Sequence, residues 1–124
     1  MKEEVISRLD LFESLDVFLK RSGRAYLNYS AKGGRFLYAK ILKRNNEIIR
    51  RLLLNGYSVL PVEQQIHADN IISHIEIWSA AWDKLASEKK HDNHDEFRFS
   101  NDSRFPRDSA SALVAYCQSK VGKK

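Results

Sequence analysis

Cysteine is almost missing from this chain. The single thiol, Cys117, excludes an intrachain disulfide and a zinc cluster built on thiolates. Proline occurs twice and glycine five times in 124 residues, too few for a loop-rich β-sandwich or a low-complexity polypeptide. Long stretches free of both residues favour helices. No apolar run approaches the length needed to cross a bilayer, and Met1-Lys2-Glu3-Glu4 leads into an amphipathic pattern rather than a secretory signal. The expected setting is a reducing cytoplasm with no membrane contact, so the Asn-x-Ser matches at Asn28 and Asn101 are read as chance.

Acidic residues are scarce in one region only. From Lys20 to Arg51 there are ten Lys or Arg residues against one acid, Glu47, a local charge of +9. From Pro61 to Glu96 the balance reverses to −5, and the last 28 residues return to +4. The total of +5 with a pI near 9.4 therefore understates how far the charge is segregated. A positive block carried on an ordered element suits a polyanion partner.

Apolar spacing supplies the elements. Val5, Leu9, Phe12, Leu15 and Leu19 recur at helical intervals, with Ile6, Leu11 and Phe18 widening the stripe. These predict a first helix over 3–21 that stops at Ser22-Gly23. Residues 24–34 are open between a further helical turn and an extended link, and Gly33-Gly34 breaks the chain. A second helix is predicted over 35–55, ending at Asn55-Gly56. Its core face is Tyr38, Ile41, Leu42, Ile48, Ile49 and Leu52, with Asn45 as a lone amide in the seam. Pro61 suits the first position of a third helix running to about Lys89. Ala68, Ile71, Ile75, Trp78, Trp82 and Leu85 form its bundle-type seam.

His91 to Arg107 reads as a long polar loop, in which Phe97 and Phe99 offer an alternative short extended segment packed on the helices. Asp108 stands near the start of a last helix marked by Ala110, Leu113, Val114, Cys117 and Val121. Gly122-Lys123-Lys124 is expected to fray. The expected fold is a single all-α domain over 1–124, an antiparallel four-helix bundle with a long loop before the last helix. Ile66, Ile77 and Leu54 fall off the main core faces and are candidates for a subunit interface.

The sharpest functional feature is the set Lys40, Lys43, Arg44, Arg50 and Arg51. At about 100° per residue these cations and Glu47 share an arc of roughly 120° opposite the core face. Such a helix can meet successive phosphates and release condensed counterions. Lys20, Arg21, Arg24, Lys32 and Arg35 extend the patch if the first two helices are neighbours. Tyr26, Tyr29 and Phe36 lie among these cations as possible base-stacking platforms. The plainer alternative is a solvated face on which Glu47 pairs with Lys43 and Arg51 one turn away.

No metal or cofactor is expected. Glu63, His67, Asn70 and His74 line one side of the third helix, but two imidazoles two turns apart are about 10 Å from each other, long for one metal. A polar strip beside the seam is the preferred reading. His91, Asp92, His94 and Asp95 are taken as solvated loop residues, and Cys117 as a small buried hydrophobe. A Gly-rich phosphate loop, a nucleophile elbow and a paired His-Glu metalloprotease motif are all missing. Helical ribonucleases of the higher-eukaryote-and-prokaryote nucleotide-binding type need a His within a turn or two of an Arg-polar pair. Arg44-Asn45 has none before His67, so enzyme activity is not expected.

The segment Ile41-Leu42-Lys43-Arg44-Asn45-Asn46-Glu47-Ile48-Ile49, a short link, and then Ala68-Asp69-Asn70-Ile71-Ile72 through Ile75 to Trp78 resembles a known family. It is similar to the four-helix-bundle proteins encoded in 23S rRNA intervening sequences, whose relatives include the accessory variability determinants of diversity-generating retroelements. The resemblance covers about residues 35–85. It departs at Lys32-Gly33-Gly34-Arg35-Phe36, which lacks the family's Phe-Pro-Lys or Pro-Arg entry, and at the insertion around 89–107. The resemblance implies a basic bundle assembling into a homo-oligomeric ring, commonly a pentamer, that holds a reverse transcriptase and its RNA template together. It transfers no catalytic residue. A competing expectation is a protein-interaction module, an adaptor or antitoxin-like inhibitor, whose basic helix meets an acidic protein patch.

Overall fold

The computed structural model describes residues 8–88, 90–97 and 106–121. Among them the chain is all-helical, with four helices that pack together: α1 (Arg8–Ala31), α2 (Phe36–Gly56), α3 (Val62–Glu88) and α4 (Arg107–Val121). The expected start of the first helix at Glu3, the residues Val5, Ile6, Phe99 and Phe105, and the frayed tail at 122–124 lie outside the described residues, as does the side chain of Leu9.

The first helix does not stop at Ser22-Gly23; it continues to Ala31. Tertiary packing overrides the local signal there. Ser22 is fully buried and Ala25 nearly so, and Tyr26 and Tyr29 pack beside Ala25, Leu42, Trp78 and Trp82. The stripe Leu15, Leu19, Ser22, Tyr26, Tyr29 keeps helical spacing straight through Gly23. The real stop is Gly33-Gly34, with φ of +79° and +66°. The Gly34 N–H donates to the Tyr29 carbonyl at 2.8 Å, the six-to-one bond of a Schellman motif with Gly33 in the left-handed position.

α2 follows within a residue of its expected bounds, but its buried seam is rotated. Ala39, Leu42, Asn46, Ile49, Leu53 and Gly56 point inward, while Ile41 is exposed and Tyr38, Ile48 and Leu52 are half-buried. The seam amide is Asn46, not Asn45. Its Oδ1 accepts from the Ser22 hydroxyl at 3.2 Å, both groups buried. Gly56 belongs to the seam because a Cβ there would collide with the Leu11 methyls, one of them at 2.8 Å. α1 and α2 thus meet in reverse chain order, Leu11 against Gly56 and Ser22 against Asn46.

A short 3-10 turn, Tyr57–Val59, joins α2 to α3. Pro61 stands one position earlier than expected, just before Val62, and its carbonyl accepts from the Gln64 and Gln65 N–H groups. α4 begins with Asp108 in its first turn and ends with Lys120 in its last, matching the helix dipole.

The main contacts join α1 to α2 and α4, and α3 to the same two helices. A central core of Leu11, Leu15, Leu53, Ile71, Ile75 and Leu113 passes into the aromatic cluster around Trp78 at one end. Burying each such aliphatic side chain stabilises the fold by about 1.5–3 kcal/mol.

In residues 90–97, Lys90, Asp92, Asn93, His94 and Glu96 are exposed as expected, while His91 and Phe97 pack on the helices. Asp92 forms a turn in which its Oδ1 accepts from the His94 N–H and its own N–H donates to Asp95 Oδ2. Phe97 is fully buried, its N–H donates to the Gly34 carbonyl at 2.7 Å, and Tyr29 donates its hydroxyl to the Phe97 carbonyl. The ring lies 4.8 Å from Phe36, 5.0 Å from Trp82 and 4.9 Å from His91, centroid to centroid.

Candidate nucleic-acid interface

α2 presents its cations because its apolar and small residues recur every three or four positions, leaving the opposite side to Lys40, Arg44, Glu47 and Arg51, all exposed. At 1.5 Å per residue, Lys40 and Arg44 stand about 6 Å apart along the axis and Arg44 and Arg51 about 10 Å. Among the described residues, neither Arg44 nor Arg51 makes an ion pair. Lys40 lies over the Phe36 ring, with Nζ 5.0 Å from its centroid.

The five cations of the expected arc do not share one environment. Lys43 and Arg50 are turned toward α3. Lys43 Nζ is 2.6 Å from Glu47 and 3.7 Å from Asp83, and it sits 5.1 Å from the Trp82 ring. Arg50 clasps Glu76 through Nε at 2.9 Å and Nη2 at 2.7 Å. Both Arg50 donors meet the one oxygen Oε2 of Glu76, and both cations are partly neutralised before any ligand arrives. Glu47, four residues from Lys43, lies within α2, whereas Asp83 and Glu76 lie on α3. An open depression of about 260 Å³ lies beside the Arg50 pair, lined by Glu47, Arg50, Arg51, Leu54 and Asn55.

The α1 cations spread around their helix. Lys20 pairs with Asp16 at 3.3 Å, and Asp16 also accepts from Gln118 of α4. Lys20 is therefore on the α4 side of α1 and does not extend the α2 row. Arg21 lies over the Phe18 ring at 5.2 Å, and Arg24 is exposed. Arg35 is exposed at the hinge, its backbone bridged to Glu96. The N-terminus of α2 is closed to an anion. Arg35 supplies no side-chain cap, and the Phe36 and Leu37 N–H groups are taken by the Asp95 and Asn93 carbonyls. Contacts to phosphate from this face must come from side chains.

The expected stacking platforms are structural instead. Tyr26, Tyr29 and Phe36 are half-buried, and burial pushes the Tyr26 hydroxyl above its usual pKa. Among the described residues, no aromatic ring is among the exposed large side chains, which are all aliphatic: Leu37, Ile41 and Leu54 on α2.

The histidine strip on α3 holds helices together. His67 Nδ1 and Asn70 Nδ2 both approach the Ser109 hydroxyl of α4, at 3.1 and 3.0 Å, while Glu63 is exposed and His74 buried. His91 is packed against Phe36 and Phe97 rather than solvated. Cys117 is fully buried, and burial, reinforced by the Asp16 carboxylate, pushes its thiol up to about 12. Such a thiol is a poor nucleophile. No helix described is long and apolar enough to cross a membrane.

No family model, curated protein or solved structure matches the chain. The functional reading therefore rests on the α2 face itself. That face carries the exposed cations Lys40, Arg44 and Arg51, with Glu47 among them and aliphatic neighbours.

Proposed function

We propose that this chain is a non-catalytic, nucleic-acid-binding accessory protein, built as an antiparallel four-helix bundle, whose α2 face grips a phosphate backbone. The observation that carries the reading is the row Lys40, Arg44 and Arg51, exposed on one side of a helix whose other two cations are held by acids. The cost of setting unpaired like charges in a row is recovered when phosphates replace condensed counterions. The high pKa of the buried Cys117 argues against a thiolate nucleophile. On the resemblance over residues 35–85, the enzyme served would be a reverse transcriptase working on RNA in a diversity-generating retroelement.

A titration of structured RNA and of duplex DNA at several salt concentrations tests this. Three phosphate contacts give a slope of log K on log salt of about −2.7, or roughly a fortyfold loss between 50 and 200 mM. Affinity indifferent to salt overturns it.

One observation favours a second reading. Leu37 and Ile41 are exposed beside the cations, a mixed surface that also suits an acidic, apolar protein patch. A salt-tolerant one-to-one protein complex free of nucleic acid supports that adaptor or antitoxin-like role.

A further inference from the structure

Glu47 is out of place on a surface that meets phosphates alone. It is the one acid between Lys20 and Arg51, and it stands exposed on α2 between Arg44 and Arg51. Carboxylate and phosphate oxygens only accept hydrogen bonds, so Glu47 repels the ligand that its neighbours attract. Its Oε2 takes Lys43 Nζ at 2.6 Å, while Oε1 takes no bond among the described residues. The pair with Lys43 is a weak reason for the acid, because an exposed pair one turn apart contributes little stability and Lys43 also has Asp83.

The carboxylate lines the open depression of about 260 Å³ together with Arg50, Arg51, Leu54 and Asn55. Pockets for drug-sized ligands begin near about 300 Å³, so this one has room for a single flat ring system. Glu47, Arg51 and Asn55 recur every four residues along one exposed strip of α2, at steps of about 6 Å. In order they offer a pair of acceptor oxygens, a cation and an amide that can donate. Arg50 is committed to Glu76, and Leu54 supplies an apolar wall. Guanine alone among the bases presents two adjacent donors, N1–H and the N2 amino group, with the O6 acceptor beside them. Cytosine and adenine set a ring-nitrogen lone pair next to their amino group, and uracil flanks its one N–H with carbonyls. Each of these turns a lone pair toward the carboxylate. We infer that the depression takes one unpaired guanine of a single-stranded segment. Glu47 accepts from N1–H and the N2 amino group, Asn55 Nδ2 donates to O6, and Arg51 holds the adjoining phosphate. The edge read is the pairing edge, which a base inside a duplex cannot offer. This inference rests on the polyanion reading and adds to it a contact that reads a base rather than the backbone.

Fluorescence anisotropy at low salt tests this with uridine strands of about 12 nucleotides that carry guanine, inosine, adenine or cytosine at one central position. Wild type should bind the guanine strand about tenfold more tightly than the adenine, cytosine and all-uridine strands, the discrimination expected of one bidentate base contact. Inosine, which lacks the N2 amino group, should fall between them. Glu47→Gln keeps the shape and the helix, checked by circular dichroism, and exchanges one acceptor for a donor. It should bring guanine down to the level of the other bases and tighten binding of the guanine-free strands, since a charge that repels phosphate is gone. A Glu47 that serves the helix alone would leave the ratio between strands unchanged. Asn55→Ala should lower the guanine preference severalfold. Equal, salt-dependent binding of all strands by wild type, or a preference that survives Glu47→Gln, overturns the inference and leaves the polyanion reading standing. No binding of any strand or of duplex at low salt overturns the polyanion reading, and the inference falls with it.

Discussion

Ser22→Ala removes one hydroxyl from a fully buried site and leaves the Asn46 Oδ1 on the facing helix without its donor. The lost methylene-scale packing is negligible, so the cost is the desolvation of an unpaired amide oxygen, about 1–3 kcal/mol. For a domain of this size that lowers Tm by about 3–5 °C per kcal/mol. The reverse deletion is less symmetrical than it looks. In Asn46→Leu the amide disappears, and the Ser22 hydroxyl can turn to the Phe18 carbonyl one turn back in α1. In that background Ser22→Ala should cost less than about 0.5 kcal/mol, giving a coupling of about 1–2 kcal/mol in a double-mutant cycle. Urea unfolding followed by circular dichroism measures all four species. Equal costs for Ser22→Ala in both backgrounds would refute the coupling of this buried pair across α1 and α2.

Three further outcomes follow from the packing. Phe97→Ala should destabilise by about 3–5 kcal/mol and red-shift tryptophan fluorescence, because Phe97 closes the cluster of Phe36, Trp82 and His91; a loss below about 1 kcal/mol would mean that residues 90–97 are not part of the core. Gly56→Ala improves helix propensity by about 1 kcal/mol but drives a Cβ into Leu11, at a cost of about 1–3 kcal/mol, so urea unfolding should show net destabilisation where propensity alone predicts a gain. The folded chain keeps the Cys117 proton up to about pH 12, whereas the unfolded thiol releases it near 9.0. Stability is therefore complete below pH 9 and falls as pH rises from there, by at most about 1.4 kcal/mol per unit from this group. Tyr26 and Tyr57, both raised, act in the same direction, and a stability that rises across this window in a urea series would contradict the burial argument.

Much of this fold is legible in the apolar spacing. The bounds of α2, the short link after Gly56 and the position of α4 follow from periodicity and from Gly and Pro as punctuation. What misleads is local chemistry with a distant solution. Ser22-Gly23 reads as a helix end until Asn46 is seen to bond the serine, and Ile41 and Ile48 draw the α2 seam one residue away from its true line. That line is built on small or polar residues, Ala39, Asn46 and Gly56, which hydrophobicity alone passes over. The α2 cations are visible as an arc, and so is the Lys43–Glu47 pair one turn apart, but the hold on Arg50 and the second contact of Lys43 depend on Glu76 and Asp83, some 25 to 40 residues away. The capping of α2 by the Asn93 and Asp95 carbonyls has no sequence signal, since any residue supplies a carbonyl.

The central claim is that Lys40, Arg44 and Arg51, and not the whole basic arc, bind the polyanion. Fluorescence anisotropy with a structured RNA at low salt tests it by comparing Lys40→Glu/Arg44→Glu/Arg51→Glu with Lys43→Glu/Arg50→Glu. The triple variant should stay folded and lose roughly a hundredfold or more in affinity. The double variant should lose less affinity per charge and more stability, because it sets carboxylates against Glu76 and Asp83. A triple variant that binds as tightly as wild type would contradict the account.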